Sequence, residues 1–248
     1  MSSQGQTIYF ISGANRGIGL GFVQALAKRP NTVIYAGVRN PNNANELQKL
    51  NSLTKNIHIV KLESISENDA KAAAEKIEKT SGYVDVIVAN AGISNYYGPL
   101  MTTPIKEIRD HYEVNLLGPL ILFQALYPLL KKSKSGAPKF VVISTALASI
   151  GDMYSVPVTA YGASKAAVNY VTKKIHQEHE KDGLIAFPLH PGLVQTDMGN
   201  AGVKAIGLDQ APVTIEDSVQ GQLKIIDGAT REKTSGRFWS FDGKELVW

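Results

Sequence analysis

Tyr161 and Lys165 stand four residues apart in TAYGASKAAVNYVTKKIHQEHEKDG, a stretch that reads as a helix with Gly183 just past its end. Residues at i and i+4 share one helix face. An ammonium beside a phenol favours the phenolate and lowers the phenol's pKa. The pair therefore predicts a proton donor and acceptor that works near neutral pH. A half-buried tyrosine beside a surface lysine has the same spacing, so the pair needs company before it defines a site.

A second chemical feature lies near the start of the chain. Gly13, Gly17 and Gly19 in SGANRGIGLG follow an apolar run and precede a helical one. Glycines there allow a tight turn and let a pyrophosphate approach the backbone at a helix N-terminus. A glycine-rich turn need not bind anything, but this one opens a chain of alternating strands and helices, where dinucleotide sites lie. The predicted cradle is Gly13, Asn15, Arg16, Gly17, Ile18 and Gly19. An NAD site usually places an acid near the end of the second strand, on the ribose 2′-hydroxyl. Here AGVRNP puts Val38 and Arg39 there, and no acid follows until Glu46. Arg16 lies in the nearby glycine turn. Two guanidiniums suit a 2′-phosphate, which they bind bidentately. NADP(H) is preferred over NAD; two solvated arginines are the alternative.

These residues need a frame. Strand candidates are Thr7–Ser12, Thr32–Val38, Ile57–Leu62, Val84–Asn90, Lys139–Thr145, Leu184–His190 and Arg237–Phe241, nearly all separated by helical stretches. Continuous apolar runs indicate strands buried on both faces of a parallel sheet. The expected fold class is α/β: a doubly wound Rossmann fold of about seven strands, one domain over residues 1–248. Ligands in such sheets bind at the carboxyl ends of the strands. Asp197–Pro212, rich in Gly, Ala and Asp, reads as the most mobile segment, within a substrate loop at about 196–215.

Totals bound the function. The 248 residues, 44% hydrophobic and 19% charged, suit a globular domain with a sizeable core. The net charge of +4 is too small to imply nucleic acid. There is no cysteine, which excludes disulfides and thiolate chemistry and fits a reducing compartment. No basic segment precedes an apolar one at the start, so no signal peptide is expected. The apolar run Leu116–Leu130 is broken by Gly, Pro and Gln and is short for a bilayer. A cytoplasmic protein with no membrane partner is the expectation. His176 and His179 lack a third ligand, so no metal is expected and they read as solvated. His190 is either structural or part of a pocket wall. Lys131, Lys132 and Lys134 suit a helix C-terminus.

In order along the chain, SGANRGIG, VANAG, VNLLG, YGASK and HPGLVQTDM resemble the short-chain dehydrogenase/reductase family over essentially the whole length. ALASIGDMY and FDGKELVW look most like its carbonyl reductase branch, which includes norsolorinic acid ketoreductases and sniffer and C-factor-like proteins. The resemblance implies that Tyr161 protonates a substrate carbonyl oxygen as hydride arrives from the nicotinamide. Lys165 would bind the nicotinamide ribose and tune Tyr161. Asn90, Ala91 and Gly92 would line the cofactor. Pro191, Gly192, Val194 and Thr196 would hold its nicotinamide end, and Glu63 and Ser64 would lie near the adenine. The family's catalytic serine is the second of a Ser-Ser pair ending the fifth strand. VISTALAS puts Thr145 in that place, after Ser144, with a longer loop than usual before Tyr161. Thr145 keeps a hydroxyl; Ser144 and Ser149 are alternatives. Tyr96, Tyr97, Met153, Tyr154 and Met198 are candidate pocket residues, pointing to an apolar or aromatic ketone.

The stretch YEVNLLGPLILFQALYPLL reads as a helix with Gly118 and Pro119 inside it. Residue 119 has no N–H for the carbonyl of Asn115. In the family, the matching Asn holds a water on that carbonyl and so resupplies the tyrosine's proton. Beyond Pro119 the helix is apolar all round, so a second subunit is expected on its outer face, giving a homodimer or homotetramer. The leading expectation is an NADPH-dependent ketoreductase. An alcohol dehydrogenase working oxidatively uses the same residues, and a non-catalytic NADP-binding regulator or signal would use the same fold.

Overall fold

Runs of β-branched and aromatic residues set the strands. The computed structural model describes residues 5–204 and 207–248. Its strands are β1 (Thr7–Ser12), β2 (Thr32–Val38), β3 (Ile57–Lys61), β4 (Val86–Ala89), β5 (Lys139–Ile143), β6 (Ile185–His190), β7 (Phe238–Ser240) and β8 (Glu245–Leu246). The helices are α1 (Gly17–Leu26), α2 (Asn45–Thr54), α3 (Glu67–Thr80), α4 (Ile105–Tyr112), α5 (Gly118–Leu130), α6 (Thr159–Glu178), α7 (Asp197–Lys204) and α8 (Ile215–Gly228). The sheet order is β3-β2-β1-β4-β5-β6-β7-β8. All neighbours are parallel except β7 and β8. The chain winds outward from β1 to β3, then returns to β4 beside β1, which makes the β1/β4 boundary the switch point.

Strand alternation divides the core in two. Ile8, Phe10, Tyr35, Ile87, Phe140 and Val142 pack with α3, α5 and α6 on one face. Tyr9, Ile11, Ile34, Val88, Val141 and Phe187 pack with α1, α2 and α8 on the other. This is the doubly wound arrangement that the unbroken apolar runs predict. The described residues hold eight strands rather than seven, because the two-residue β8 is too short to leave a pattern in sequence.

Two segments differ from the sequence reading. Asp197–Lys204, expected to lie between β6 and the next helix without one of its own, is helical; the Thr196 hydroxyl starts it by accepting from the Gly199 N–H at 3.0 Å. Residues 205–206 of the expected substrate loop lie outside the described residues. The interrupted helix is one rod, Ile105–Leu130, long and apolar enough by composition to cross a membrane. In this fold it is a core helix. Leu122, Phe123, Leu126, Leu129 and Leu130 are buried on the sheet, and α5 packs along α3. What remains exposed on α5 and the turn before it is a strip with Leu117, Gln124 and Pro128. The rod changes pitch at Glu113–Leu117, a π turn in which the Gly118 N–H bonds the Glu113 carbonyl.

Buried Asp85 fastens the strand starts. Its carboxylate accepts from the Ile8 N–H at 2.8 Å and from the Ser133 hydroxyl at 2.6 Å. Its backbone N–H donates to the Ile8 carbonyl and its carbonyl accepts from Lys139, at 2.9 and 2.8 Å. Asp85→Ala would strand the Ile8 N–H in a buried place. A loss of about 2 kcal/mol is expected, read as a lower urea midpoint with an unchanged slope.

Candidate active site

The glycine turn sits at the switch point. The Ser12 hydroxyl accepts the N–H groups of Asn90 and Ala91, both at 3.0 Å, and so ties the ends of β1 and β4 together. The Asn90 amide donates back to the carbonyls of Ser12 and Gly13, at 3.0 and 3.3 Å. Gly13 and Gly17 take positive φ, 64° and 54°, and a Cβ on Gly19 would lie 2.2 Å from the Gly13 carbonyl oxygen. No other residue fits that approach. α1 starts at Gly17 with Arg16 as its N-cap and no side-chain capping bond. Its first N–H groups therefore suit an anion, and a pyrophosphate fits the cradle. Asn15 and Arg16 are exposed on its rim, and Ile18 is half-buried in the first turn. Arg39 is exposed at the end of β2, while Arg16 leans 3.6 Å from Asp197 in a solvent-exposed pair. Such a pair contributes little, which leaves the Arg16 guanidinium easy to redirect.

Glu63 and Ser64 follow β3. Asp69 accepts the Glu63 N–H at 2.9 Å, and the Ser64 N–H donates to the Glu63 carboxylate at 3.1 Å. Ser64 also packs on the start of α5, where a Cβ on Gly118 would lie 3.2 Å from its own.

The chemistry-bearing residues meet at the ends of β4 and β5. Lys165 is 3% exposed, and its ammonium donates to the Ile143 carbonyl at 2.7 Å. A Cβ on Gly92 would stand 3.0 Å from Asn115 Oδ1 and 3.4 Å from Lys165 Nζ, so any larger residue there would crowd both. Asn115 is buried and held on three sides. Its side chain accepts from the Ile93 N–H at 2.8 Å and donates to the Ile93 carbonyl at 2.9 Å and to Ser164 Oγ at 3.0 Å. Of the three candidate hydroxyls, Thr145 is the one close enough to the Tyr161 phenol to favour its ionisation; its Oγ1 accepts from the Leu147 N–H at 3.3 Å. Ser144 turns away and donates to Asn169 Oδ1 at 2.6 Å. Ser149 is engaged in its own loop, accepting from the Asp152 N–H at 2.9 Å.

Around this centre lie the other predicted residues. The Pro191 carbonyl accepts from the Ser218 hydroxyl at 2.6 Å, and Gly192, φ 87°, lies against the Phe241 ring. Val194 bridges to Val213, and the Thr196 N–H bonds the Val194 carbonyl at 2.7 Å. Thr196 also touches Gly17 across the cleft: a Cβ on Gly17 would lie 3.2 Å from its methyl. Tyr97 lies near Tyr161 and under α7 at Gly202. Tyr96 folds onto its own loop, with its hydroxyl on the Thr102 carbonyl at 3.2 Å. Met153, Tyr154 and Met198 are exposed. His190 is kept neutral by burial, its pKa pulled down to about 4. His176 and His179 are not free in solvent. His176 Nδ1 meets the Ser235 hydroxyl at 2.7 Å, and the His179 ring lies 4.3 Å from that of Tyr127.

Sequence reasoning passed over Ser12, Ser164 and Asn169, and the Ile143 carbonyl that holds Lys165. Ser164 lies inside YGASK and Asn169 continues the Tyr161–Lys165 row at i+8, so helical spacing was the available signal.

The chain matches the family described as short chain dehydrogenase over residues 7–206. It is 42% identical to norsolorinic acid ketoreductase of Aspergillus parasiticus, over 98% of this chain and 92% of that one. It is 39% identical to an uncharacterised oxidoreductase of Schizosaccharomyces pombe, over 95% of this chain and 96% of the relative. Among solved structures it resembles an NADPH-bound carbonyl reductase from chicken fatty liver, with a TM-score of 0.89 and 33% identity, covering 98% of this chain and 100% of that one. The carbonyl reductase Sniffer of D. melanogaster gives a TM-score of 0.89 at 28% identity, over 99% of this chain and 100% of the other.

Electrostatics correct one expectation. Lys165 was expected to lower the Tyr161 pKa, but burial dominates and raises it to about 12, only partly opposed by Thr145. The ammonium points to Ile143 and stands 6.0 Å from the Tyr161 ring centre. Burial also lowers Lys165 itself, to about 8. Between about pH 8 and 10.5 the unfolded chain holds a proton that folded Lys165 has lost, so its contribution to stability rises with pH across that window and is lost below it. Lys165→Met is therefore expected to be about 2 kcal/mol more stable than the parent at pH 7 without nucleotide. The gap should close toward pH 10.5, as thermal unfolding at several pH values would show.

Proposed function

The chain belongs to the short-chain dehydrogenase family, and from that premise we propose that it is an NADPH-dependent carbonyl reductase that converts a ketone or aldehyde to an alcohol. The observation that carries this reading is the meeting of Tyr161, Thr145, Lys165 and Asn115 at the ends of β4 and β5, with Lys165 fixed on the Ile143 carbonyl and Asn115 on Ile93 and Ser164. A phenol with a pKa near 12 is an acid at neutral pH, not a base. The protonated phenol is the form that donates to a carbonyl oxygen, and alcohol oxidation would run through the same residues in reverse.

NADPH, when bound, supplies the hydride. The glycine cradle and the start of α1 would hold its pyrophosphate, and Arg16 and Arg39 its 2′-phosphate. Asn90, Ala91, Gly92 and the segment Pro191–Thr196 would flank the rest, with Glu63 and Ser64 toward the adenine. Lys165, which faces Gly92, would bind the ribose hydroxyls. Tyr161 would give its proton to the carbonyl oxygen while Thr145 donates a hydrogen bond to the same atom. Both act on the negative charge that develops there.

Tyr161 must then regain a proton. The Asn115 carbonyl would hold the water that resupplies it, since Pro119 has no N–H to give that carbonyl in an ordinary helical turn. π turns are frequent at functional sites. Tyr97, Met153, Tyr154 and Met198 would make an apolar wall suited to an aromatic ketone, a substrate class in keeping with the ketoreductase relative. A homo-oligomer would use the exposed strip of Leu116–Leu130.

NADPH oxidation against a panel of aryl ketones tests the reading, with NADH as control. Turnover should favour NADPH, and Tyr161→Phe should lower kcat by about a hundredfold or more. If NADPH binds and no ketone is reduced, the chain is a nucleotide-binding regulator instead. Pro119→Ala restores an N–H that can close on Asn115. It should lower kcat about tenfold without lowering the melting temperature; an unchanged kcat would remove Pro119 from the relay.

A further inference from the structure

Between Thr145 and Tyr161 the chain rises in an arch, and both feet of the arch are fixed. The far foot is tied to the loop that carries Tyr97. There the Gly98 N–H donates to the Pro157 carbonyl at 2.8 Å, and Gly98 bridges to Val158. The near foot is held from elsewhere in the sequence. The N–H groups of Ile150 and Gly151 both donate to the Trp248 carbonyl, at 3.0 and 2.8 Å. The Ser149 hydroxyl reaches the same oxygen at 3.4 Å. Val247 presses on the arch so closely that a Cβ on Gly151 would meet its methyl at 2.5 Å.

Residues 247–248 are themselves anchored. β8 pairs with β7 just before them. The Trp248 ring lies 5.9 Å from that of Phe238, with Lys173 Nζ 4.5 Å above it. Phe238 is fully buried in the seventh strand, and Lys173 lies two turns beyond Lys165 on α6. The free span between the feet carries Met153, 74% exposed, and Tyr154, 55% exposed.

We propose that Val247 and Trp248 form a strap that sets the height of the arch and so determines which carbonyl substrates fit beneath Met153 and Tyr154. The proposal rests on the carbonyl reductase reading and adds a positioning role to residues remote from the reacting atoms. Among the described residues, the strap's contacts are with the arch, Phe238 and Lys173 rather than with the nucleotide cradle or Tyr161. Its loss should therefore act on the binding of large substrates and spare the chemical step.

The test compares the parent chain with a variant lacking Val247 and Trp248, and with Trp248→Ala and Trp248→Phe. KM and kcat are measured for a bulky aryl ketone and for a small aliphatic ketone, and NADPH affinity by fluorescence titration. Amide hydrogen exchange is followed at Ile150 and Gly151. The shortened chain should exchange faster at both amides and show a KM for the bulky ketone about tenfold higher. The small ketone's KM, kcat and the NADPH Kd should stay within about twofold. Trp248→Phe should lie closer to the parent than Trp248→Ala. Unchanged exchange, an unchanged KM, or an equal loss on both ketones would overturn the proposal. If the parent reduces neither ketone, the carbonyl reductase reading fails, and with it the specificity role; faster exchange would then leave the strap a purely structural contact.

Discussion

A buried ammonium must be surrounded by oxygen or it will not stay charged. Lys165 meets that demand from the chain with the Ile143 carbonyl, the backbone oxygen at the last residue of β5. This bond fixes how far α6 sits along the sheet. Two neighbours repeat the constraint at other levels: Asn169 with Ser144 below, and Ser164 with Asn115 across the cleft. Three side chains on one helix are thus matched to β5 and to the π turn. Tyr161 stands at the top of the same row, and its position follows from theirs.

The opposite wall is built by backbone rather than side chains. Ser12 and Asn90 lock the ends of β1 and β4 by four hydrogen bonds, and glycines let the strand end and the helix start touch. One wall of the cleft is therefore permissive to close approach and the other is packed with polar groups. A dinucleotide laid between them would meet bare backbone at its pyrophosphate and the tyrosine–lysine row at its reactive end.

Much of this was legible in sequence, and the reasons differ by element. Strands buried on both faces leave unbroken apolar runs, so β1 and β2 read to the residue. β8 has two residues and leaves no run. The Tyr161–Lys165 row follows from helical spacing alone. The partners Ile143 and Ser12 belong to other elements, and their pairing exists only after folding. The sign of the Tyr161 shift was misjudged because residue spacing reports nearness along a helix. It does not report the direction in which an ammonium points, or the depth of burial. Asp197–Lys204 was given no helix because of its Gly and Asp content, while the Thr196 hydroxyl that starts the helix carried the stronger signal. The packing of the Leu116–Leu130 helix along α3 is equally absent from its sequence, because one helix in isolation does not show its neighbours.

The π turn at Glu113–Leu117 ties the fold to chain length as well as composition. One residue corresponds to roughly 100° of helix rotation. Closing that turn to ordinary pitch by losing one residue would swing Leu122, Phe123 and Leu126 off the sheet while leaving every remaining side chain chemically unchanged. Substitutions inside the turn alter local contacts; a gained or lost codon there would shift the phase of the whole following helix. Insertions and deletions, more than point changes, are what this stretch has to exclude as its gene drifts.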